Sequence, residues 1–460
     1  MPENLEKRLK RQIHGKLHRF TAIVPLGFEA TLVRELQQLG VVAENGSFES
    51  ADGKVSFTAK ITEAWKAVAY SRIANRVLMD IASFKAENFR ELEKKAAEIP
   101  WELFLPQDAP PQVHVTCKES RLYHSDAVAE RFYNILKGES LPLVRTTSLP
   151  TPSAGTPRNA PLTTARLNLI TEPTNSPRSR QHDSLRRVAF GSHNQAPQQH
   201  FYVTLLKDRC TVSLDLAGEE LYKRGHQRFV AEAPLKETIA AAMLLEAESL
   251  LENSAAAPSA KDVAAPGTGI AIIDPMAGSG TFSLEAAYKS CGLIPGRCRD
   301  FALKHQPAFK EATWNYLTRA IPNSAIRIIT TDISERAIEI IKHNVQTSPL
   351  PPGTIAPQQK DFFSYTPGDI FGGGKAILLL NPPYGKRLDA NAPALYAHIG
   401  KKLTELAKGA KSPLAVAILA PKGACSNNLL KNCPALATPE VKAIKTSHGG
   451  ISLNCFVAVL

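Results

Sequence analysis

None of the seven cysteines stands in a C-x-x-C pair, and their number is odd. This argues against a disulfide framework, an iron–sulfur cluster and a structural zinc. Cys291 and Cys298, at C-x6-C spacing, are expected to be free thiols, and no metal is expected. The N-terminus has no apolar leader-like segment and no run reaches membrane-spanning length. Neither a secretory signal nor a bilayer-crossing helix is expected, and a reducing cytoplasm is the expected setting. No internal repeat is evident. Between about Leu141 and Gln199 lysine disappears while Pro, Ser, Thr and Asn dominate, and Arg145, Arg158, Arg166, Arg178, Arg180, Arg186 and Arg187 face only Glu172 and Asp183. Such a sequence cannot bury enough apolar area to offset its ordering entropy, so a disordered insertion is expected over about 141–199. A second loose stretch runs from Asn253 to Gly269.

What is present reads as ordinary globular sequence. A length of 460 residues with 43% apolar and 21% charged content gives room for two or three domains with sizeable cores. The net charge of +12 favours a polyanionic partner. Part of that charge is concentrated, with Lys7, Arg8, Lys10, Arg11, Lys16 and Arg19 set against Glu3 and Glu6. Residues 1–19 are therefore expected to be a mobile basic tail that contacts phosphates without reading sequence. Beyond it, hydrophobic spacing predicts strands near 20–24, 53–59, 77–84 and 113–117, and helices near 28–39, 62–70, 88–99 and 125–136. Strands at 201–206 and 210–215 then make a hairpin across Lys207-Asp208-Arg209, expected to close the same α+β region.

Two segments carry chemistry. Ala376-Ile377-Leu378-Leu379-Leu380 reads as a fully buried strand stopped by Asn381-Pro382-Pro383-Tyr384. The Asn381 side-chain oxygen and the Pro382 carbonyl can together accept both protons of one exocyclic NH2 group. That draws the nitrogen lone pair out of conjugation and aims it at an electrophile. Pro383 stiffens the turn, and Tyr384 offers a face on which an extruded base can stack, worth about 1–3 kcal/mol. Upstream, residues 270–274 form a buried strand that ends in Asp274, followed by Gly278-Ser279-Gly280 and a helix start. The glycines let a ligand approach the backbone and a helix N-terminus. Ser283 stands where the dinucleotide fingerprint has its third glycine, which argues against NAD; Asp274 instead suits a cationic, amino-acid-bearing cofactor. Asp332, ending the strand at 326–331, can accept two ribose hydroxyls. Asp361 can accept an adenine amine while Phe362 packs on the purine. Ligands of open α/β sheets bind at carboxyl ends of strands, and the order Asp274, Asp332, Asp361, Asn381 is what one shared crevice requires.

From about Leu221 onward the chain resembles the class I S-adenosylmethionine-dependent methyltransferases. More narrowly it is similar to the THUMP-domain RNA guanine-N2 methyltransferases, above all their bacterial 23S ribosomal RNA branch. The motifs that carry the resemblance are Asp274-Pro275-Met276-Ala277-Gly278-Ser279-Gly280-Thr281, Thr331-Asp332-Ile333, Asp361-Phe362-Phe363 and Asn381-Pro382-Pro383-Tyr384-Gly385. The connector Leu221-Tyr222-Lys223-Arg224-Gly225-His226 and Ala233-Pro234-Leu235-Lys236-Glu237-Thr238 add to it, as do residues 71–78 and 120–126. The resemblance implies a C-terminal Rossmann-like α/β domain over 226–460, with a seven-stranded, mostly parallel sheet. An α+β ferredoxin-like and THUMP region that binds RNA is implied over 20–225. It also implies S-adenosyl-L-methionine held by Asp274, Pro275, Met276, Gly278, Gly280, Thr281, Asp332, Ile333, Asp361 and Phe362. Catalysis falls to Asn381, Pro382, Pro383 and Tyr384, and RNA contact to Arg121, Arg224 and His226. The expected partner is RNA, ribosomal RNA foremost, acted on by a monomer without metal or membrane. The 141–199 insertion is longer than the family's usual connection. The chain ends at Leu460 soon after a final antiparallel strand at 451–459, and a second fused methyltransferase is not expected. Three other readings remain open: a transfer RNA guanine-N2 enzyme, an adenine-N6 nucleic-acid methyltransferase, and a non-catalytic RNA-binding factor of ribosome assembly.

Overall fold

A computed structural model describes residues 4–106, 111–137, 186–188, 197–226, 228–230, 234–253, 270–319, 326–371, 374–384, 391–410 and 412–460. Most of the expected 141–199 insertion lies outside these, as do residues 254–269 of the second loose stretch, Ala233, and Gly385, which follows the Asn381–Tyr384 tetrapeptide.

In the N-terminal half, β1 (His18–Ile23), β2 (Glu49–Ala51), β3 (Lys54–Ala59), β4 (Arg76–Lys85) and β5 (Gln112–Lys118) are followed, past β6 (Arg186–Val188), by β7 (His200–Leu206) and β8 (Arg209–Asp215). All except β6 form one seven-stranded sheet in the order β2-β3-β1-β4-β8-β7-β5. Side chains alternate as a half-buried pleat requires: Phe20, Ala22, Val55, Phe57, Val77 and Met79 enter one core with helices Glu29–Gln38 and Ile61–Tyr70. The expected strands and helices occur in the expected order, but the hairpin does not close the sheet. β8 pairs with β4, and β7 lies parallel to β5, so β5 is one edge, β2 the other, and the two expected modules share one sheet. Lys207 and Asp208, at φ 50° and 60°, make the hairpin turn; two positive φ values match the twist of the flanking strands.

The basic tail expected to be mobile is instead folded. Leu5–Leu9 is α-helical and Lys10–His14 continues it as a π-helical turn. Leu9 and Ile13, four residues apart, are 8% and 1% exposed in the main core. The segment is amphipathic: its apolar stripe pins it down while Lys7, Lys10 and Arg11 face solvent. A second correction concerns the insertion, because β6 pairs antiparallel with β9 (Arg228–Val230). The pairing satisfies backbone groups that either strand alone would leave open.

The second sheet comprises β10 (Ala271–Asp274), β11 (Arg327–Asp332), β12 (Gln358–Gln359), β13 (Ala376–Leu380), β14 (Leu414–Pro421), β15 (Lys442–His448) and β16 (Ile451–Val459). Its order is β12-β11-β10-β13-β14-β16-β15. The first five of these run parallel, while β16 is antiparallel to both its neighbours. Helices cover both faces, which is why the central strands are continuous apolar runs. Period two still sorts them: Ile272, Ile377, Leu379 and Ala417 join the core that contains Met243 and Phe282. Ile273, Leu378, Leu380 and Val416 face the other way, toward Tyr396, Leu403 and Leu429. Among the described residues, no helix is long and apolar enough to cross a membrane.

Candidate active site

β10 lies between β11 and β13, and the chain winds outward from it on both sides. Its C-terminal end is therefore a topological switch point, where open α/β sheets form their crevice. Asp274, the last residue of β10, is fully buried. One carboxylate oxygen accepts from Ser283 N at 3.1 Å and Ser283 Oγ at 2.8 Å, and the other is buried with no partner among the described residues. Burial pushes this carboxyl up to about 7, against the two Ser283 bonds and with the charge of Asp332 adding to the rise.

Pro275 is buried and Met276 half-buried at the start of the glycine turn. Gly278 and Gly280 adopt φ 56° and 77°, both left-handed. A Cβ on Gly280 would stand 3.2 Å from Ile341 Cγ2, whereas one on Gly278 would meet nothing within 4 Å. Packing thus dictates the second glycine, and the first opens on to the cleft. Asp332 ties the turn to β11: one oxygen accepts Gly278 N at 2.9 Å and the other Ser334 N at 2.9 Å. Its neighbour Ile333 is 66% exposed.

Asn381, immediately after β13, lines the same cleft as Met276, Gly278, Ser279 and Thr281, which is partly open to solvent. Its side-chain oxygen is also buried without a partner among the described residues. Two adjacent parallel strands thus end in unpartnered acceptors, a deep carboxylate suited to an ammonium group and an amide oxygen suited to an N–H donor. Pro382 is buried, Pro383 and Tyr384 are half-buried, and the Tyr384 hydroxyl lies 3.0 Å from His448 Nδ1.

Several expected roles do not survive the geometry. Phe362, expected to cover a purine, is 2% exposed inside the core, and the ring at the surface is its neighbour Phe363. Asp361 accepts Phe363 N at 3.0 Å and caps a short 3-10 turn, Phe362–Ser364, which sends the two rings to different sides. Arg224 and His226, expected to touch RNA, are buried. Arg224 grips both oxygens of Glu285 at 2.9 and 3.1 Å and donates to the carbonyls of Leu221 and Arg72, which locks the connector between the two sheets. A His226 ring nitrogen lies 2.8 Å from the Tyr288 hydroxyl, and burial, with Arg228 nearby, depresses its pKa to about 4. Of the three, only Arg121 is exposed, in an ion pair with Glu87.

Sequence reasoning missed Arg228 and Asn344. Buried Arg228 pairs with Glu237 and donates to Thr281 Oγ1 at 3.0 Å and Ser279 Oγ at 3.4 Å. Asn344 donates to Ser279 O at 3.0 Å and exchanges two bonds with the Phe229 backbone. Together they fasten β9 to the glycine turn. No motif marks them; only the run of cations from Lys223 to Arg228 hints at a connector with internal work.

The fold is that of the class I methyltransferases. Comparison with known families sharpens this. Residues 224–432 match the family described as UPF0020: RMKL-like, methyltransferase domain, and residues 19–78 match the RlmL ferredoxin-like domain. One stretch of the chain is thus similar to an RMKL-like methyltransferase domain, and an earlier stretch is similar to the RlmL ferredoxin-like domain. It is 28% identical over 406 residues to the ribosomal RNA large subunit methyltransferase K/L of Allochromatium vinosum, covering 84% of this chain and 46% of that one. The chain thus spans about half the length of that relative. YpsC of Bacillus subtilis, named as a candidate RNA methyltransferase, is 26% identical over 379 residues, covering 81% of this chain and 80% of YpsC. Among solved structures, SMU.472 in complex with SAH superposes with a TM-score of 0.66 at 23% identity, covering 96% of this chain and 98% of that one. A Listeria monocytogenes protein described as a predicted N6-adenine-specific DNA methylase gives 0.65 at 23% identity, covering 99% and 98%. At these identities the structures attest the fold.

Proposed function

We propose that the chain transfers a methyl group from S-adenosyl-L-methionine to the exocyclic N2 of a guanine in RNA, with large-subunit ribosomal RNA the favoured substrate. The observation that carries this reading is the pair of buried, unpartnered acceptors, Asp274 Oδ1 and the Asn381 side-chain oxygen, at neighbouring strand ends. Support comes also from the names of the K/L relatives and from the SAH bound by SMU.472.

When bound, the cofactor supplies a sulfonium methyl already activated for displacement, so no metal is required. Ionised Asp274 would hold its ammonium group and Asp332 its ribose, with Met276, Gly278 and Thr281 lining the cleft beside them. Asn381 and the Pro382 carbonyl accept the two N–H groups of the target amine and free its lone pair. The freed lone pair would then face the methyl group that the cofactor supplies, and the proton released on transfer would pass to water. Tyr384 stacks the extruded base. In this reading residues 20–225 dock RNA, through Arg121 among others, and 226–460 perform the transfer in a cytoplasmic monomer.

Incubating the protein with ribosomal RNA and tritiated cofactor, then digesting to nucleosides, tests the reading. Label in N2-methylguanosine is expected. Label in N6-methyladenosine would reassign the base, and absence of any label on ribosomal or transfer RNA would refute the proposal.

A further inference from the structure

We infer that His448 is a positioning residue: it fixes the ring of Tyr384 for stacking of the target base, and β15 ties it to the N-terminal half. This rests on the base-binding reading of Asn381–Tyr384 given above. His448 Nδ1 lies 3.0 Å from the Tyr384 hydroxyl, with the two rings at 86° and their centroids 6.3 Å apart. Contact is therefore made at the hydroxyl end of the phenol, and the imidazole lies over neither face. A tyrosine ring that must receive a flat partner gains from such an anchor, because its remaining freedom is rotation about the bonds that tilt the ring.

His448 is itself held tightly. It is 9% exposed and ends β15 opposite Ile451, across the two-residue turn Gly449–Gly450 with φ 58° and 81°. Both residues in the left-handed region give the hairpin turn that best matches strand twist. β16 in turn pairs with β14 from Leu453 to Val459, so the imidazole sits at the end of the sheet's edge strand. The other end of β15 meets the N-terminal half. Lys442 Nζ donates to Glu246 at 2.7 Å, and Glu246 also accepts from Thr31 and, at 2.6 Å, from Arg34 of helix Glu29–Gln38. Midway, the turn before that helix touches β15 so closely that a Cβ on Gly27 would stand 2.4 Å from the Lys445 carbonyl and 2.7 Å from Ile444 Cγ2. One strand thus contacts the expected RNA-docking half at Ile444–Lys445, reaches it through Glu246 at Lys442, and meets the base-stacking ring at His448.

Steady-state methylation of 23S ribosomal RNA transcripts by wild type, His448→Ala, His448→Gln, Tyr384→Phe and the His448→Ala/Tyr384→Phe double variant tests this, with cofactor affinity measured by calorimetry. His448→Ala should lower kcat about tenfold, as loss of a fixed orientation does, while cofactor affinity stays within about twofold. His448→Gln, which keeps a hydrogen-bonding side chain, should recover most of the loss. In the Tyr384→Phe background His448→Ala should change kcat by less than about twofold, because the bond it removes is already gone. A full tenfold effect in that background, or a parallel loss of cofactor affinity, would overturn the inference. A wild-type protein that binds cofactor yet methylates no RNA would instead overturn the functional reading, and this inference with it.

Discussion

Replacing Asp274 by Asn separates what the buried carboxylate does for the fold from what it does for the ligand. In the free protein its pKa is pushed up to about 7 from 3.8, mainly by burial. Each pKa unit is worth about 1.4 kcal/mol, so ionising Asp274 in the folded chain costs about 4 kcal/mol more than in water. The folded pKa lies above the unfolded one. Asp274 therefore favours folding fully below pH 3.8, and that contribution is lost as pH rises through about 7. Asparagine removes the ionisation cost but places an amide N–H2 where Oδ1 has no partner, which costs about 1–3 kcal/mol. The net expectation is a variant about 1–3 kcal/mol more stable than wild type at pH 8, with an advantage that shrinks and reverses toward pH 5. Urea unfolding from pH 5 to pH 8 measures this. Cofactor affinity should move oppositely: it should fall at least about tenfold, and in wild type it should weaken below about pH 7 as the carboxylate protonates. A variant less stable than wild type across the whole range would refute the assignment of an ionised, uncompensated acid.

Other expectations follow from single positions. Gly280→Ala meets Ile341 and a left-handed φ, so it should lose about 1–3 kcal/mol of stability. Gly278→Ala has open space around its Cβ and should lose about 1 kcal/mol while reducing cofactor binding by more, which calorimetry against thermal melting would distinguish. Arg224→Ala leaves Glu285 buried without its main partner and should destabilise by about 3–5 kcal/mol; an unchanged melting temperature with weaker RNA binding would restore the discarded RNA role. Arg121→Ala, at an exposed site, should leave stability within about 0.5 kcal/mol yet lower the salt dependence of RNA affinity by about one phosphate contact.

The crevice was legible in the sequence because its signals are local. A buried apolar run that stops at Asn381-Pro382-Pro383 can be little other than a strand end, and strand ends in an α/β order meet in one place. Where side chains point was less legible. Phe362 and Phe363 differ by one position, and only the 3-10 turn decides which ring is buried. Arg224 looks like a surface cation until Glu285, sixty-one residues away, is brought to it. The N-terminal tail was misjudged because its many cations hid the Leu9–Ile13 spacing that buries it. The joined N-terminal sheet depends on β4 finding β8 across the intervening insertion, and no local pattern encodes that pairing. His448 and Tyr384 likewise meet only through tertiary structure, sixty-four residues apart.

The most direct measurement is tritium transfer to ribosomal RNA by Asn381→Ala alongside wild type, at saturating cofactor. Loss of one amine-aligning acceptor should cost at least about 2–4 kcal/mol of transition-state stabilisation, a fall of roughly thirtyfold to a thousandfold in rate, with cofactor affinity preserved. Transfer at the wild-type rate would contradict the role of this side chain.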